Sequence, residues 1–581
     1  MRRLRFYLAP YTFYIILTVL IKLGGAILEL LIPYFMEIIL DRIVPTGDRM
    51  AIFFFGGLML LAAGGCLAGN VIANRMSAIS SGKITEKVRH DLFEKLESLS
   101  AGQMDTLTVS SAQSRLTSDT YNFNQLLARM QRLGVRAPIL LIGGIAMMLG
   151  MDASLSVVLI ALLPLICLVV YFVTKKSVPL YREEQSVLDR AVSVLQESIT
   201  GIRVIKALCK SDYEKARFGT VNDTLTFVDR KAGLITSITN PSTSLILNLG
   251  LTLVIVIGAY RVNGGACQSG VIIAFLQYFV MILNAMLGIT RIFVMWSRGQ
   301  ASAVRVAEVL ELDADLTVLP QDVTEMPADE TAPVPHIDFR HVSFSYTGIG
   351  KNLDDVSFSL MRGESLGILG ETGAGKSTVL SLLLRMYDPD EGQILIDGRD
   401  IRTIPREELS RKFGVVFQNE FAAEGTIGEN IRFFRPIEDE AAERAAKDAQ
   451  ASEFIAKKEN GMASYVAVRG NNLSGGQKQR LFIARALAGD PEILLLDDAS
   501  SALDYTTDAA LRRALKENHG RATTVLVAQR ISSVAGCTRI MMLSDGKVIG
   551  SGTHEELLVQ CPEYRAIAQI QMGDLREGVP S

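Results

Sequence analysis

"LGILGETGAGKSTVLSLLL", Leu366–Leu384, decides how the second half of this chain folds. A short apolar run ends at Gly370, a glycine-rich turn follows, and apolar residues then recur at helical spacing from Lys376 onwards. Gly370, Gly373, Gly375, Lys376 and Ser377 fit G-x-x-x-x-G-K-[ST] between a strand and a helix. Glu371, Thr372 and Ala374 complete the loop, and Thr378 opens the helix. Glycines let backbone N–H groups curl round phosphate oxygens, and the helix N-terminus adds a favourable dipole. The spacing predicts Lys376 at the β- and γ-phosphates of ATP and the Ser377 hydroxyl on Mg²⁺. Downstream, "ILLLDDASSALD" (493–504) predicts a buried strand whose end presents Asp497 to the same metal.

Outward from this motif, short apolar strands alternate with amphipathic stretches, as in a soluble α/β domain. We assign residues 336–571 to this nucleotide-binding domain and 572–581, "MGDLREGVPS", to a tail. Residues 301–335 are expected to be a linker, since "DADLTVLPQDVTEMPADETAPVPH" (313–336) is acidic, proline-bearing and aperiodic.

Residues 1–300 read differently. Apolar windows at Phe13–Leu40, Ile52–Ala73, Ala137–Gly150, Ser154–Val173, Ser244–Tyr260 and Val271–Val294 predict six membrane spans, with a tight turn at Met151-Asp152-Ala153. "MRRLRF" is too close to a long span to be a cleaved signal and reads as an interfacial helix. The connections from Asn74 to Arg136 and onwards from Thr174 are long and rich in Lys and Arg, which predicts a cytoplasmic location. Both are helical in pattern: Val192, Leu195, Ile199, Ile202 and Ile205 form one apolar stripe. Lys22 and Glu29, about two turns apart in the first span, and Arg291 in the last are candidates for a polar substrate cavity or for structural ion pairs. The fold class is therefore an α-helical membrane domain, six transmembrane helices with long cytoplasmic extensions, plus an α/β P-loop nucleotide-binding domain.

Composition agrees. The chain has 581 residues, 49% of them hydrophobic and 21% charged, with a mean hydropathy of +0.27; that is too long for one core and apolar for a soluble protein. A net charge of −3 leaves no cation excess for a nucleic-acid partner. The six cysteines are scattered without CxxC or His-paired spacing and read as ordinary buried thiols.

"LSGGQKQR" (473–480), placed between the glycine loop and the paired acids, adds the decisive motif. Together these segments resemble the nucleotide-binding domain of ATP-binding cassette (ABC) transporters. With six spans ahead of it, the chain resembles an exporter-type (type IV) half-transporter. That resemblance implies that Tyr346 in "FSYTG" stacks on adenine and that Gln418 in "VVFQNE" contacts Mg²⁺ beside Ser377 and Asp497. It implies that Ser474, Gly475, Gly476 and Gln477 close on ATP held by another subunit, and that Ser501, Ala502, Leu503 and Asp504 form the D-loop. Coupling helices are expected near Ser118–Phe123 and Ser211–Ala216.

Three positions depart from the family pattern. Asp498 stands where Glu usually polarises the attacking water, Gln529 in "TTVLVAQRISSV" stands at the switch histidine, and Val468 stands where exporters often carry Glu. Losing one methylene withdraws the carboxylate by about 1.5 Å, and a positioned general base is worth about 100- to 10,000-fold. The resemblance then implies the degenerate-site half of a heterodimeric, multidrug-like exporter in the plasma membrane. Its partner would be a second half-transporter bearing the catalytic Glu and switch His. A homodimer with two slow sites, an exporter-fold importer of the siderophore kind and an ATP-sensing regulatory membrane protein are the alternatives.

Overall fold

A computed structural model describes residues 6–320, 333–418 and 420–572. Most of "MRRLRF", the middle of the expected linker and the tail from residue 573 fall outside these. The described residues form two compact units, the first drawn from residues 1–97 and 110–312 and the second from residues 98–109 and 313–581.

The first unit is built from helices, and its chain path defines α1 (Thr12–Ile38), α2 (Arg49–Ser98), then, after the excursion of α3 (Ala101–Leu107) into the second unit, α4 (Thr120–Met151), α5 (Ala153–Thr200), α6 (Ile202–Ala207), α7 (Ser211–Ser237), α8 (Thr239–Asn263) and α9 (Ser269–Leu310). Six helical stretches among the described residues are long and apolar enough to cross a membrane. Helix α2 has 50 residues, about 75 Å at 1.5 Å per residue, so it holds a span of about 30 Å and a long aqueous arm. The turn after α4 falls where predicted: the Asp152 carboxylate accepts from the Ser154 and Leu155 N–H groups at 2.9 and 3.0 Å and starts α5. Residues 301–310, within the expected linker, continue α9.

Ala26 and Leu30 of α1, Ala137 and Leu140 of α4 and Phe279 and Ile282 of α9 share one buried cluster. The Tyr278 hydroxyl donates to the Leu30 carbonyl at 2.6 Å. Asp41 accepts from the Gly270 and Val271 N–H groups at 2.5 and 2.9 Å and so caps α9. A Cβ at Gly270 would lie 2.7 Å from that carboxylate. Outward-facing positions stay apolar: Phe13 and Phe53 are 79% exposed, the arrangement a hydrocarbon solvent selects.

Here one sequence reading is sharpened and another changes. The stripe Val192, Leu195, Ile199 and Ile202 is helical but exposed, while Ala191 and Val194 are buried. The cysteines are free, as expected, but only Cys561 is buried; Cys167 and Cys209 are exposed. A membrane span places apolar thiols outward, and Cys209 lies in the turn before α7 with φ of 52°.

The second unit contains strands β1 (Ile337–Phe344), β2 (Leu353–Leu360), β3 (Ser365–Gly370), β4 (Glu391–Ile396), β5 (Arg399–Asp400), β6 (Phe413–Val416), β7 (Gly425–Thr426), β8 (Tyr465–Val466), β9 (Ile493–Asp497), β10 (Thr523–Val527), β11 (Arg539–Ser544) and β12 (Lys547–Gly552). One sheet runs β12-β11-β3-β10-β9-β6, parallel except for β12, and a second, antiparallel sheet runs β2-β1-β4-β5. The "ILLL" run of β9 is buried on both faces, as a central parallel strand requires. Ile493 and Leu495 join the core beneath α10 (Lys376–Leu383). Leu494 and Leu496 join the core of α11 (Gly475–Leu487). The strand ends thus bring residues 370, 497 and 527 to one edge, where ligands bind in open α/β sheets.

Neither segment expected to carry a coupling helix is a short helix of its own. Ser100 and Gln103 make a capping box that starts α3, and Thr108, with φ of 63°, ends it. Residues 98–109 therefore form the excursion into the nucleotide unit, whereas Ser118–Phe123 leads into and begins α4. Near the second site the short helix is α6, bounded by Gly201 and Cys209, and Ser211–Ala216 opens the long α7.

Candidate functional site

At the carboxyl edge of β3 and β9 lies a cavity of about 290 Å³ lined by Thr372, Gly373, Gly375, Lys376, Ser377, Thr378, Gln418, Asp497, Asp498 and Gln529, with Asn352, Val527 and Ala528. Residues from five separate segments meet there. Gly373 and Gly375 take φ of 89° and 97°, which only glycine adopts readily. Lys376 Nζ folds back onto the Gly370 and Glu371 carbonyls at 2.8 and 2.7 Å. Burial lowers its pKa, opposed by the charges of Asp497 and Asp498.

The Ser377 hydroxyl donates to Asp497 Oδ2 at 2.9 Å. Burial pushes the Asp497 carboxyl up, the bond from Ser377 opposes this, and the neighbouring Asp498 charge adds to it. A hydroxyl and a buried carboxylate in contact, with the Gln418 amide on the same cavity, form a hard-oxygen donor set that fits Mg²⁺. Asp498 has φ of 51°, donates its N–H to the Val527 carbonyl at 2.9 Å, and has its carboxyl raised by burial against the influence of Ser501 and Arg530. Tyr346 stands 45% exposed, its hydroxyl 3.4 Å from Thr378 Oγ1 and its N–H held by Asn352 Oδ1 at 3.0 Å.

Residues 353–501 match the ABC transporter family, and residues 15–286 match the ABC transporter transmembrane region. The ABC transporter ATP-binding protein YfiB of Bacillus subtilis (strain 168) is 34% identical over 578 residues, covering 99% of both chains. An ABC transporter ATP-binding protein of Mycobacterium tuberculosis (strain ATCC 25618 / H37Rv) is 32% identical, covering 98% of this chain and 97% of its own.

This chain belongs to the ABC transporter family.

Its fold is that of the exporter type: a bacterial Atm1-family ABC exporter with ATP bound superposes with a TM-score of 0.80 at 24% identity, covering 97% of this chain and 100% of that one. The ABC transporter described here is thus a multi-pass half-transporter that couples ATP binding to transport.

Its signature lies elsewhere than its phosphate loop. Ser474 caps α11, accepting from the Gln477 N–H at 3.3 Å while Gln477 Oε1 accepts from the Ser474 N–H at 3.1 Å. Gly475 and Gly476 face the D-loop: a Cβ on Gly476 would sit 3.1 Å from the Ala502 carbonyl. None of Ser474–Gln477 or Ser501–Asp504 lines the nucleotide cavity of its own chain. Asp504 caps α12 (Tyr505–Asn518), and bonds from Thr506 and Thr507 hold its carboxyl well below the usual range. Val468 is 52% exposed.

Two residues missed in the sequence hold the site's backbone. The Gln479 amide donates to the Asp498 carbonyl at 3.3 Å and to Ser501 Oγ at 3.1 Å, and its oxygen accepts from the Ala502 N–H at 2.9 Å. Gln571 donates to the Gln529 carbonyl at 2.9 Å and accepts from the Ile531 N–H at 2.8 Å. These are pairings between distant segments, with no local signal.

Among the candidate cavity residues of the membrane unit, Glu29 takes a bidentate bond from Arg136 at 3.0 and 2.6 Å. Both line an amphipathic cavity of about 490 Å³ with Gln277 and Asn284. Lys22 is buried and donates instead to Asn70 and Asn74, at 2.6 and 3.2 Å. It lies off that cavity's wall and does not pair with Glu29. The Arg291 side chain falls outside the described residues. Arg136, read at first only as part of a basic connection, is the residue the sequence reading missed.

Proposed function

We propose that this chain is the degenerate-site half of a heterodimeric exporter. The observation that carries the reading is the composition of one cavity: a full phosphate-binding loop and Mg²⁺ donor set face Asp498 and Gln529, while the chain's own signature lies off that cavity. Lys376 and the loop N–H groups hold the phosphates of ATP, and Tyr346 stacks on the base. Ser377, Asp497 and Gln418 would hold Mg²⁺, which neutralises phosphate charge. Asp498 falls short of the water that a glutamate would orient, and Gln529 hydrogen-bonds without a titratable ring. A misplacement near 1 Å can cost about 100-fold, so this site binds ATP and turns it over slowly.

The LSGGQ segment of this chain then completes the partner's site, where hydrolysis occurs. Closure of the paired nucleotide domains passes to the spans through α3 and α6. The exposed apolar residues of the α6 turn, Ile202, Val204 and Leu208, supply a face for the partner's nucleotide domain. The basic connections support a plasma-membrane chain with its nucleotide domain in the cytoplasm, and the Glu29–Arg136 cavity supports a substrate path through α1, α4 and α9. The test is co-expression with the second half-transporter. Asp498→Asn should leave most ATPase activity, and replacing the partner's catalytic Glu should abolish it; the reverse result refutes the assignment.

A further inference from the structure

The Tyr346 ring has a second neighbour besides the nucleotide site. It meets Tyr387, with centroids 5.1 Å apart and planes at 86°, and Phe344 at 4.9 Å, and these two rings also meet each other at 5.5 Å. Because the Tyr346 N–H is fixed by Asn352, a base seated on the ring bears on Tyr387 before it bears on the backbone. Tyr387 in turn donates its hydroxyl to the Asp105 carboxylate at 2.5 Å. It also packs on Gly102, where a Cβ would stand 3.6 Å from the ring. Burial and the Asp105 carboxylate both push the phenol above its ordinary pKa, so it remains a donor at neutral pH. Residues Gly102 and Asp105 belong to α3, which follows α2 in the chain after Leu99-Ser100. It is tied down at its start by Ser100 Oγ donating to Asp315 and by Gln103 donating to the Asp313 carbonyl, both at 2.6 Å.

We propose that Tyr387 is a positioning residue that reports adenine occupancy directly to α3, through Tyr346 on one side and Asp105 on the other, without involving the catalytic edge of the cavity. The proposal rests on the reading that Tyr346 stacks on adenine. It suits a site that binds without rapid turnover: binding itself becomes the signal, and the path by-passes Asp498 and Gln529. Aromatic edge contacts are directional, so a tilt imposed on one ring is passed to the next. A hydroxyl–carboxylate bond then fixes where that motion is delivered.

The test is hydrogen exchange over residues 98–109 in the full-length transporter, with saturating MgATP and with Mg-tripolyphosphate, which lacks the base. MgATP should slow exchange in α3 about twofold to tenfold, the scale of one hydrogen bond, and tripolyphosphate should not. Tyr387→Phe, which keeps the ring and loses the hydroxyl, should bind ATP normally and lose this protection. Asp105→Asn, which retains an acceptor, should keep part of the protection. If tripolyphosphate protects α3 as well as ATP does, or Tyr387→Phe keeps the full response, the relay is wrong while the nucleotide reading stands. If the wild-type chain binds no ATP, both fail.

Discussion

The two walls of the nucleotide cavity were built by different means. On one wall, β3 runs into the glycine loop and α10, and on the proposed reading its binding groups are largely backbone N–H groups of a loop that turns at Gly373 and Gly375 with positive φ. On the other, Asp497, Asp498 and Gln529 extend from the ends of β9 and β10, held in parallel register with Val527 opposite Asp497, and act through the reach of their side chains. The first wall is specified by a fold that tolerates little change; the second can lose a methylene or a ring without disturbing any strand. On the proposed reading, binding and turnover are therefore separable in this architecture.

The largest break in that comparison comes from the first wall. Lys376→Ala removes the cation that on the proposed reading bonds two phosphates, and charge-assisted bonds of about 1.5–3 kcal/mol each predict a loss of about 100-fold or more in ATP affinity at this chain's loop, read by nucleotide binding to the full-length protein. On the second wall the same measurement should barely move. There Asp498→Glu combined with Gln529→His, in a complex whose partner site is disabled, should raise residual ATPase by about 100-fold, the lower end of what a positioned base supplies. An unchanged rate would place the catalytic defect elsewhere, and loss of binding would show that the two walls are coupled.

A smaller effect tests how the second wall is held. Gln479→Ala removes three bonds to the backbone and side chains of residues 498–502, so in a complex whose partner site is disabled the residual turnover should fall about twofold to tenfold with ATP affinity retained. Gln479→Glu, which keeps the acceptor for the Ala502 N–H and loses the donor, should fall between the two.

The unequal legibility of the two walls has the same origin. The glycine loop is contiguous and its chemistry follows from local spacing, so Gly370–Ser377 could be read from the sequence, as could "ILLL", whose alternate residues enter two cores. Gln479, Gln571 and Asn352 act across segments joined only by the fold, and no periodicity marks them. The membrane unit shows both cases again. Six spans were legible because hydrocarbon selects apolar runs wherever they face; which charges meet was not, and Glu29 found Arg136 on α4 while Lys22 found Asn70 and Asn74 on α2. Helix α3 was a missed local signal: the Ser100–Gln103 capping box was present, but the long helical pattern around it concealed the separate short helix.

The smallest predicted effect lies where the walls touch, at Ser377 and Asp497. Burial raises the carboxyls of Asp497 and Asp498, and the charge of Asp498 contributes to the shift of Asp497. Mg²⁺ needs the ionised form, so Mg²⁺-dependent ATP binding should be complete at pH above the raised pKa values and fail as pH falls through them, beginning above the ordinary Asp value of about 3.9. Asp498→Asn removes the neighbouring charge, lowers the pKa of Asp497 and shifts the acidic limb of the binding curve to lower pH. The sign separates two causes: if the limb stays where it was, desolvation alone sets the ionisation of Asp497, and the second wall influences the first only through geometry.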